Sequence, residues 1–435
     1  MIIIKMLART FGGKLSQASS LFKTSTRFMS TFDEIPTKVV LNKDFVKDEN
    51  GDYIVTLLKG DGIGPEISES VKRIFEAAKA PISWEEHEVY NKAMNNEGDL
   101  LSDATIDSIR KNKVALKGPF MTPIGKGFRS LNVTLRKKLQ LYANVRPCRT
   151  IKGIDNIYEK VDVVTIRENT EGEYMGLEHR VIPGVSESIK IVSRRACLKI
   201  ARYAFEYAIN NNRKRVVGVH KAGVMKMGDG LFLKCLREIA QEYPEIEYSE
   251  TQVDTMCMKL AMQPEDCDIM CMPNLYGDIV SDLCAGLIGG LGLTASGNIG
   301  ADAAVFEAVH GTAPDIAGKN LANPTALSLS ACMMLDHMEL YDDGSKIRKA
   351  IFDTIEARDN LTRDLKGAGS TSQFTDAVIK RIEIANKETK KSYSNARTNK
   401  AEQEDKKDKE EKKSDAKDEK SDSKDEKKDA KDEKK

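Results

Sequence analysis

The chain has 435 residues, 40% of them hydrophobic, enough for one large or two ordinary domains with real cores. A formal net charge of +1 lacks the basic bias of a nucleic-acid binder. No apolar run reaches the roughly 18 residues of a membrane span. Eight cysteines are scattered without a CxxC pair, which argues against a disulfide framework or a zinc site; reduced thiols fit a cytosol or a mitochondrial matrix.

Residues 1–32 carry five basic groups (Lys5, Arg9, Lys14, Lys23 and Arg27) and no acid, with Leu7, Phe11, Leu15, Leu21 and Phe22 interspersed. This is the pattern of a matrix-targeting peptide. A secretory signal needs a longer apolar centre than Ile2–Ile4, and a merely unstructured N-terminus is the alternative. The body opens on a strand-like run, Tyr53–Leu58. Gly60–Gly64 breaks it, and a helix is predicted over Pro65–Ala80, since Pro65 suits a first helical position. Strands are predicted at Val161–Ile166, Val216–His220 and Asp268–Met272, and helices at Arg195–Asn210 and Asp229–Gln241. Strand and helix taking turns implies an α/β sheet protein. Beyond about residue 390 the composition changes. From Lys413 a seven-residue unit repeats three times (KSDAKDE, KSDSKDE, KKDAKDE) with no large apolar residue, so no coiled-coil seam can form. Residues 391–435 read as a charged, low-complexity solvated tail, with an interaction role as the alternative.

Several segments could carry chemistry. Asp278 and Asp282 are four apart after a strand, and share a face if a helix starts there. Two such carboxylates repel unless a cation lies between them, as hard divalent ions do; acids complementing a helix dipole are the other reading. Arg136, Arg146 and Arg167, with Ser130 and Asn132, suit a small polyanion, because guanidinium grips carboxylate bidentately. Surface arginines are common, so spacing alone leaves this open. Gly60-Asp-Gly62-Ile-Gly64 follows a strand but is not GxGxxG, and a turn of this kind says little about a dinucleotide. His310 to Asn323 forms a long stretch, mostly neither helix nor strand, and such loops are often functional.

Taken in order, GDGIGPE (60–66), KGPFMTP (117–123), FRSLNVTLRKKLQLYANVRP (128–147), TIRENTEGEYMG (165–176), VHKAGVMKMGDG (219–230), MPNLYGDIVSDLCAGLIGGLG (272–292) and HGTAPDIAGKNLANPTA (310–326) resemble the β-decarboxylating dehydrogenases, the family of isocitrate and 3-isopropylmalate dehydrogenases. The resemblance covers about residues 52–385. It implies an α/β fold of that family and not a Rossmann sheet. Residues 33–147 and 300–390 would form a large, discontinuous cofactor-binding domain. Residues 148–299 would form a small domain with a dimerisation clasp and the metal ligands.

The resemblance further implies that Ser130, Asn132, Arg136, Arg146 and Arg167 bind substrate, that Tyr174 is the general acid, and that Lys221 assists deprotonation of the C2 hydroxyl. Asp254, Asp278 and Asp282 would coordinate Mg2+ or Mn2+. Lys221 and Asp254 would reach a neighbouring subunit's cleft, so the assembly would be a homodimer or a heteromer of related subunits. NAD would lie along Ile63, Thr122, His310, Gly311, Thr312, Ala313, Asp315, Ile316 and Asn323. Asp315 can accept bonds from ribose hydroxyls and would repel the extra phosphate of NADP; NADP-using relatives carry Lys-Tyr in place of Asp315-Ile316. A plain turn or cap is the simpler role for that aspartate. The implied reaction is oxidative decarboxylation of isocitrate to 2-oxoglutarate in the mitochondrial matrix. Ser130 and Asn132 favour its carboxylate-bearing arm over the isopropyl group of isopropylmalate. Homoisocitrate, one methylene longer, and a regulatory, non-catalytic subunit are the competing readings.

Overall fold

A computed structural model describes residues 38–39, 41–87, 101–121 and 130–388. The expected targeting peptide, the charged tail and Thr122 lie outside the described residues. The first unit of structure is set by glycine and proline. Strand β1 (Tyr53–Leu58) buries its last four residues. Gly60 and Gly62 then turn the chain at φ of 74° and 59°, where a side chain would be strained. Pro65 enters the first turn of helix α1 (Gly64–Ala78), where a missing N–H costs nothing. The helix ends two residues before the predicted limit because Lys79 adopts the left-handed conformation.

The chain continues through β2 (Ile82–Glu86), α2 (Asp103–Asn112), β3 (Val114–Lys117), α3 (Leu131–Lys138), β4 (Ala143–Arg149), β5 (Asp162–Glu168), β6 (Gly172–Ile182) and β7 (Val185–Ile191). Then come α4 (Arg194–Asn210), β8 (Arg215–His220), α5 (Gly228–Ala240), β9 (Glu247–Gln252), α6 (Val253–Met262), β10 (Ile269–Met272) and α7 (Asn274–Leu287). Strands β11 (Ala295–Ile299) and β12 (Ala304–Ala308) precede helices α8 (Thr325–His337) and α9 (Tyr341–Glu356). Residues 371–378 are helical. The chain divides between residues 378 and 379 into two units, and the described part of the second, 379–388, is helical.

Among the described residues ten strands form one sheet in the order β2-β1-β3-β12-β11-β4-β5-β10-β8-β9. Strands β2, β1, β3 and β12 are parallel, as are β5, β10, β8 and β9. Antiparallel pairings of β12 with β11, β11 with β4, and β4 with β5 join the two blocks. Three reversals leave the blocks running in opposite directions, unlike the all-parallel dinucleotide-binding sheet. Pro147 is tolerated in central β4 because β11 pairs only with residues 143–145.

Burial follows the expected periods. Leu131 and Leu135 of α3 meet Leu58, Ile106, Ile109 and Val305 in one apolar cluster. Each such side chain contributes roughly 1.5–3 kcal/mol by burial. That anchoring fixes which way Asn132 and Arg136 face. The remaining strands, β6 and β7, form a separate hairpin closed by Pro183 and Gly184. Beyond Tyr174 the hairpin exposes Leu177, Val181, Ile182, Val185 and Ile189. All eight cysteines are unpaired thiols. Among the described residues no helix is long and apolar enough to cross a membrane.

Candidate active site

Side chains on one face of a sheet are two residues apart along a strand and directly opposite across it. The register therefore puts Lys117, Glu307, Ser296, Asn298, Asn144, Arg146, Thr165 and Arg167 on one face, across five strands. They form a buried polar row. Lys117 Nζ lies 2.7 Å from Glu307 Oε2. Asn298 donates to Glu307 Oε1 at 2.7 Å, and Asn144 donates to Asn298 Oδ1 at 3.0 Å. Arg136, on α3, approaches Glu307 Oε1 at 3.7 Å. Burial opposes the charge of Glu307, yet Lys117 and Arg136 hold its pKa down at about 2.

The two arginines of β4 and β5 meet the aspartates of α7. Asp278 and Asp282 do share a face of a helix, as the spacing predicts, but they sit in its second and third turns. The dipole reading of their position therefore fails, since that effect is confined to the first turn. Arg146 donates to Ser281 Oγ at 2.6 Å and to Asp282 Oδ1 at 2.9 Å, and lies 3.9 Å from Asp278 Oδ1. A guanidinium thus stands between the two carboxylates. Arg167, fully buried, donates twice to Asn274 Oδ1 at 3.0 and 2.7 Å and once to Asp278 Oδ1. Burial depresses the Arg167 pKa to about 10. Gly277 makes this possible, because a Cβ there would stand 2.5 Å from Arg167 Cγ.

Tyr174 completes this corner. It lies where the β6–β7 register shifts, between Gly172 and Leu177, a device that re-aims side chains. Its hydroxyl donates to Asp278 Oδ2, and its ring receives the Arg167 guanidinium at 5.0 Å. Burial and the Asp278 carboxylate raise the phenol's pKa, so it keeps its proton near neutral pH. Burial works against the charge of Asp278, but Arg167 and the Tyr174 hydrogen bond keep its pKa below the usual range.

Ser130 is the residue before α3, and its hydroxyl makes no capping bond. Asn132 Oδ1 and Arg146 Nε are buried without a hydrogen-bond partner among the described residues. Polar atoms left in this state usually await a ligand or water.

Lys221 and Asp254 form a different pair. Parallel β8 and β9 end level, at His220 and Gln252, so the next residues emerge side by side. Lys221 Nζ lies 2.8 Å from Asp254 Oδ2, and this hydrogen bond lowers the Asp254 pKa. Asp254 is exposed. No three acidic, His or Cys side chains cluster as a metal cage among the described residues. Within one chain, then, Asp278 and Asp282 stand together and Asp254 stands with Lys221.

The glycine turn faces the 310–323 loop. Ile63 N donates to Thr312 O at 3.0 Å, and a Cβ on Gly62 would approach that oxygen to 1.9 Å. Glu66 of α1 accepts from the amides of Gly318 and Asn320. Asp315 is exposed, and its carbonyl accepts from Lys319 Nζ at 2.7 Å. His310 Nε2 is buried without a partner among the described residues, and burial lowers that ring's pKa. Ala313 takes φ of 39°, and Ile316 is half-buried. Gly311 has open space where a Cβ would be. Asn323 is spent internally, donating to Asp364 at 2.8 Å and accepting from Thr325 N at 3.0 Å.

Residues 54–378 match the model of the family described as isocitrate/isopropylmalate dehydrogenase. The chain belongs to that family. Among relatives in the isocitrate/isopropylmalate dehydrogenase family, it is 54% identical over 377 residues to isocitrate dehydrogenase (NAD) subunit 2, mitochondrial, of Schizosaccharomyces pombe, covering 86% of this chain and 98% of that protein. It is 57% identical over 316 residues to the chloroplastic 3-isopropylmalate dehydrogenase of Solanum tuberosum, covering 72% and 88%. The isocitrate dehydrogenase structure from Methylococcus capsulatus superposes with a TM-score of 0.72 at 47% identity, covering 76% and 99%.

Sequence reasoning within the isocitrate/isopropylmalate dehydrogenase pattern missed four supporting residues. Asn274 and Gly277 hold Arg167, Glu307 backs Arg136, and Glu66 ties the 310–323 loop to α1. The first two lie inside the quoted Asn274-Leu-Tyr-Gly277-Asp278 segment, yet nothing local announces what they touch. Glu307 precedes the quoted His310 segment by three residues.

Proposed function

We propose that this protein catalyses the NAD-linked oxidative decarboxylation of isocitrate to 2-oxoglutarate and CO2, in the tricarboxylic acid cycle of the mitochondrial matrix. The observation that carries this reading is the meeting of Arg146, Arg167, Asp278, Asp282 and Tyr174 in one corner, its arginines buried and its carboxylates open to solvent. The family relationship, a relative named as an NAD-linked mitochondrial enzyme and an acid-free, basic N-terminus support it.

Isocitrate is a trianion, and Arg136, Arg146 and Arg167 supply three fixed positive charges whose forks match carboxylates. Ser130 adds a hydroxyl that makes no capping bond, and Asn132 an amide whose NH2 can donate to the carboxylate of the substrate's second arm. Asp278 and Asp282 offer the hard oxygen donors that Mg2+ or Mn2+ prefers, and Arg146 already balances their charge from between them. Asp254 adds a third carboxylate from a neighbouring subunit. Bound there, the cation would supply Lewis acidity at the C2 oxygen and NAD would supply the hydride acceptor for C2. Exposed Asp315 would accept hydrogen bonds from the adenosine ribose hydroxyls, and the 310–316 loop with Ile63 and Thr122 would hold the dinucleotide. Lys221 helps remove the C2 hydroxyl proton. Tyr174, kept protonated by its surroundings, delivers a proton to C3 once CO2 has left.

Residues 33–147 with 300–390, and residues 148–299, are the two lobes flanking this cleft. The apolar β6–β7 hairpin is the clasp that joins subunits, in a homodimer or with related subunits. A regulatory role fits poorly, since Tyr174, Lys221 and all three aspartates are present. Isopropylmalate, the substrate class named for the potato relative, would leave Ser130 and Asn132 unpaired at about 1–3 kcal/mol each. A panel of isocitrate, homoisocitrate and 3-isopropylmalate, with NAD and NADP, tests the reading. Isocitrate with NAD should give the highest kcat/KM; preference for 3-isopropylmalate would overturn the assignment.

A further inference from the structure

We propose that Asp229 and Lys190 are positioning residues for Lys221, tying its loop to the base of the β6–β7 hairpin. The proposal rests on the reading of Lys221 as a residue of the reaction. Asp229 lies in the first turn of α5 and is fully buried. Its two oxygens do different jobs. Oδ2 accepts the backbone N–H of Lys221 at 2.7 Å, and Oδ1 accepts from Lys190 Nζ at 3.0 Å. One carboxylate therefore joins the start of the 221–229 loop to strand β7.

Three other elements converge on the same ammonium. Glu173 of β6 lies 3.4 Å from it, Met225 Sδ lies 3.7 Å away, and the ring of Tyr276 on α7 lies beneath it at 4.6 Å. Burial opposes the Lys190 charge, but Asp229 and Glu173 keep its pKa above the ordinary lysine range. Glu173 is one residue from Tyr174, and Tyr276 is two residues from Asp278. The Lys221 carbonyl in turn accepts from Val224 N at 3.0 Å and Met225 N at 2.9 Å. The loop is thereby wound tightly about the residue whose side chain reaches Asp254. A buried, charge-assisted anchor of this kind fixes backbone position far better than an exposed turn does. Small displacements of a reacting group can cost about 100-fold in rate.

The test uses the intact enzyme with Asp229→Asn, Lys190→Met, Lys190→Arg and Lys221→Met, alone and combined, measuring kcat and isocitrate KM with single-turnover NADH formation for slow variants. Asp229→Asn and Lys190→Met should each lower kcat about 10-fold or more, with KM within about 2-fold. Lys190→Arg should recover most of the loss. Neither first substitution should cost anything further on the Lys221→Met background, because groups acting through one residue are non-additive. Wild-type kcat in both variants, or an equal loss with and without Lys221, would overturn the inference while leaving the role of Lys221 intact. An unchanged kcat in Lys221→Met would instead remove the underlying reading, and the inference with it. If Asp229→Asn fails to fold, Lys190→Met and its Arg counterpart decide the matter, since Lys190 is only partly buried.

Discussion

Replacing Glu307 by Gln should destabilise the enzyme and loosen its grip on substrate together. Glu307 is the anionic centre of the buried polar row, 2.7 Å from the Lys117 ammonium and 3.7 Å from Arg136. Glutamine keeps the shape and a carbonyl for Asn298, but leaves Lys117 buried without a countercharge. Breaking such a pair typically costs about 3–5 kcal/mol. The lowered pKa gives a second route to the magnitude. A fall from 4.5 to about 2 is worth roughly 3 kcal/mol at neutral pH. At about 2 °C or more per kcal/mol for a domain of this size, the melting midpoint should drop by about 6–10 °C.

The pH dependence has a definite sign. A carboxylate with a depressed folded pKa contributes its full stability above its unfolded pKa and loses it as pH falls through the folded value. The midpoint difference between wild type and Glu307→Gln should therefore be constant above about pH 5.5 and shrink as pH falls from 4.5 towards 2. Arg136, losing its backing charge, should raise the isocitrate KM by about 10-fold with less effect on the NAD KM. Scanning calorimetry across pH and steady-state kinetics read both effects. A midpoint within 1 °C of wild type at pH 7, or a difference that grows towards low pH, would refute the reasoning.

Other substitutions probe separate parts of the site. Tyr174→Phe should retain isocitrate binding by calorimetry but lose about 100- to 10,000-fold in kcat; unchanged turnover removes the phenol from the reaction. Asp315→Lys combined with Ile316→Tyr should shift the ratio of kcat/KM for NAD and NADP towards NADP, and no shift would undermine the ribose argument. Gly277→Ala puts a methyl against Arg167 Cγ, so it should weaken isocitrate binding at least 10-fold as the guanidinium moves; wild-type affinity would show that the arginine can yield freely. Deleting residues 391–435 should leave kcat and both KM values within 2-fold, since the tail's repeats from Lys413 hold no large apolar residue to pack; loss of turnover would assign it an essential part.

What the sequence reveals follows from how local each signal is. The β1–α1 unit is readable because Gly60, Gly62 and Pro65 act on their own backbone. The same holds for α4 and α5, whose apolar periods are complete within the segment. The reversal of sheet direction at β11 and β4 depends on pairings between residues some 150 apart, such as Asn144 with Asn298, and no local pattern encodes it. The site divides in the same way. The helix face shared by Asp278 and Asp282 is legible from their spacing, whereas Asp315 stands out only through the family motif around it. Glu66 reads only as an acid in the first turn of a helix, because the amides it holds lie over 250 residues away. Strand β4 hides behind Pro147, a residue that ordinarily argues against a central strand.

In the proposed enzyme a divalent cation held by aspartates and a trianion held by arginines meet in one cleft with NAD. The most direct measurement follows NADH, CO2 and 2-oxoglutarate produced by the purified, intact assembly from isocitrate and NAD, with and without a chelator. The three products should appear in equal amounts, cease when the cation is stripped, and return on adding Mg2+ or Mn2+. NADH formation that persists in excess chelator, or proceeds without release of CO2, would contradict the account.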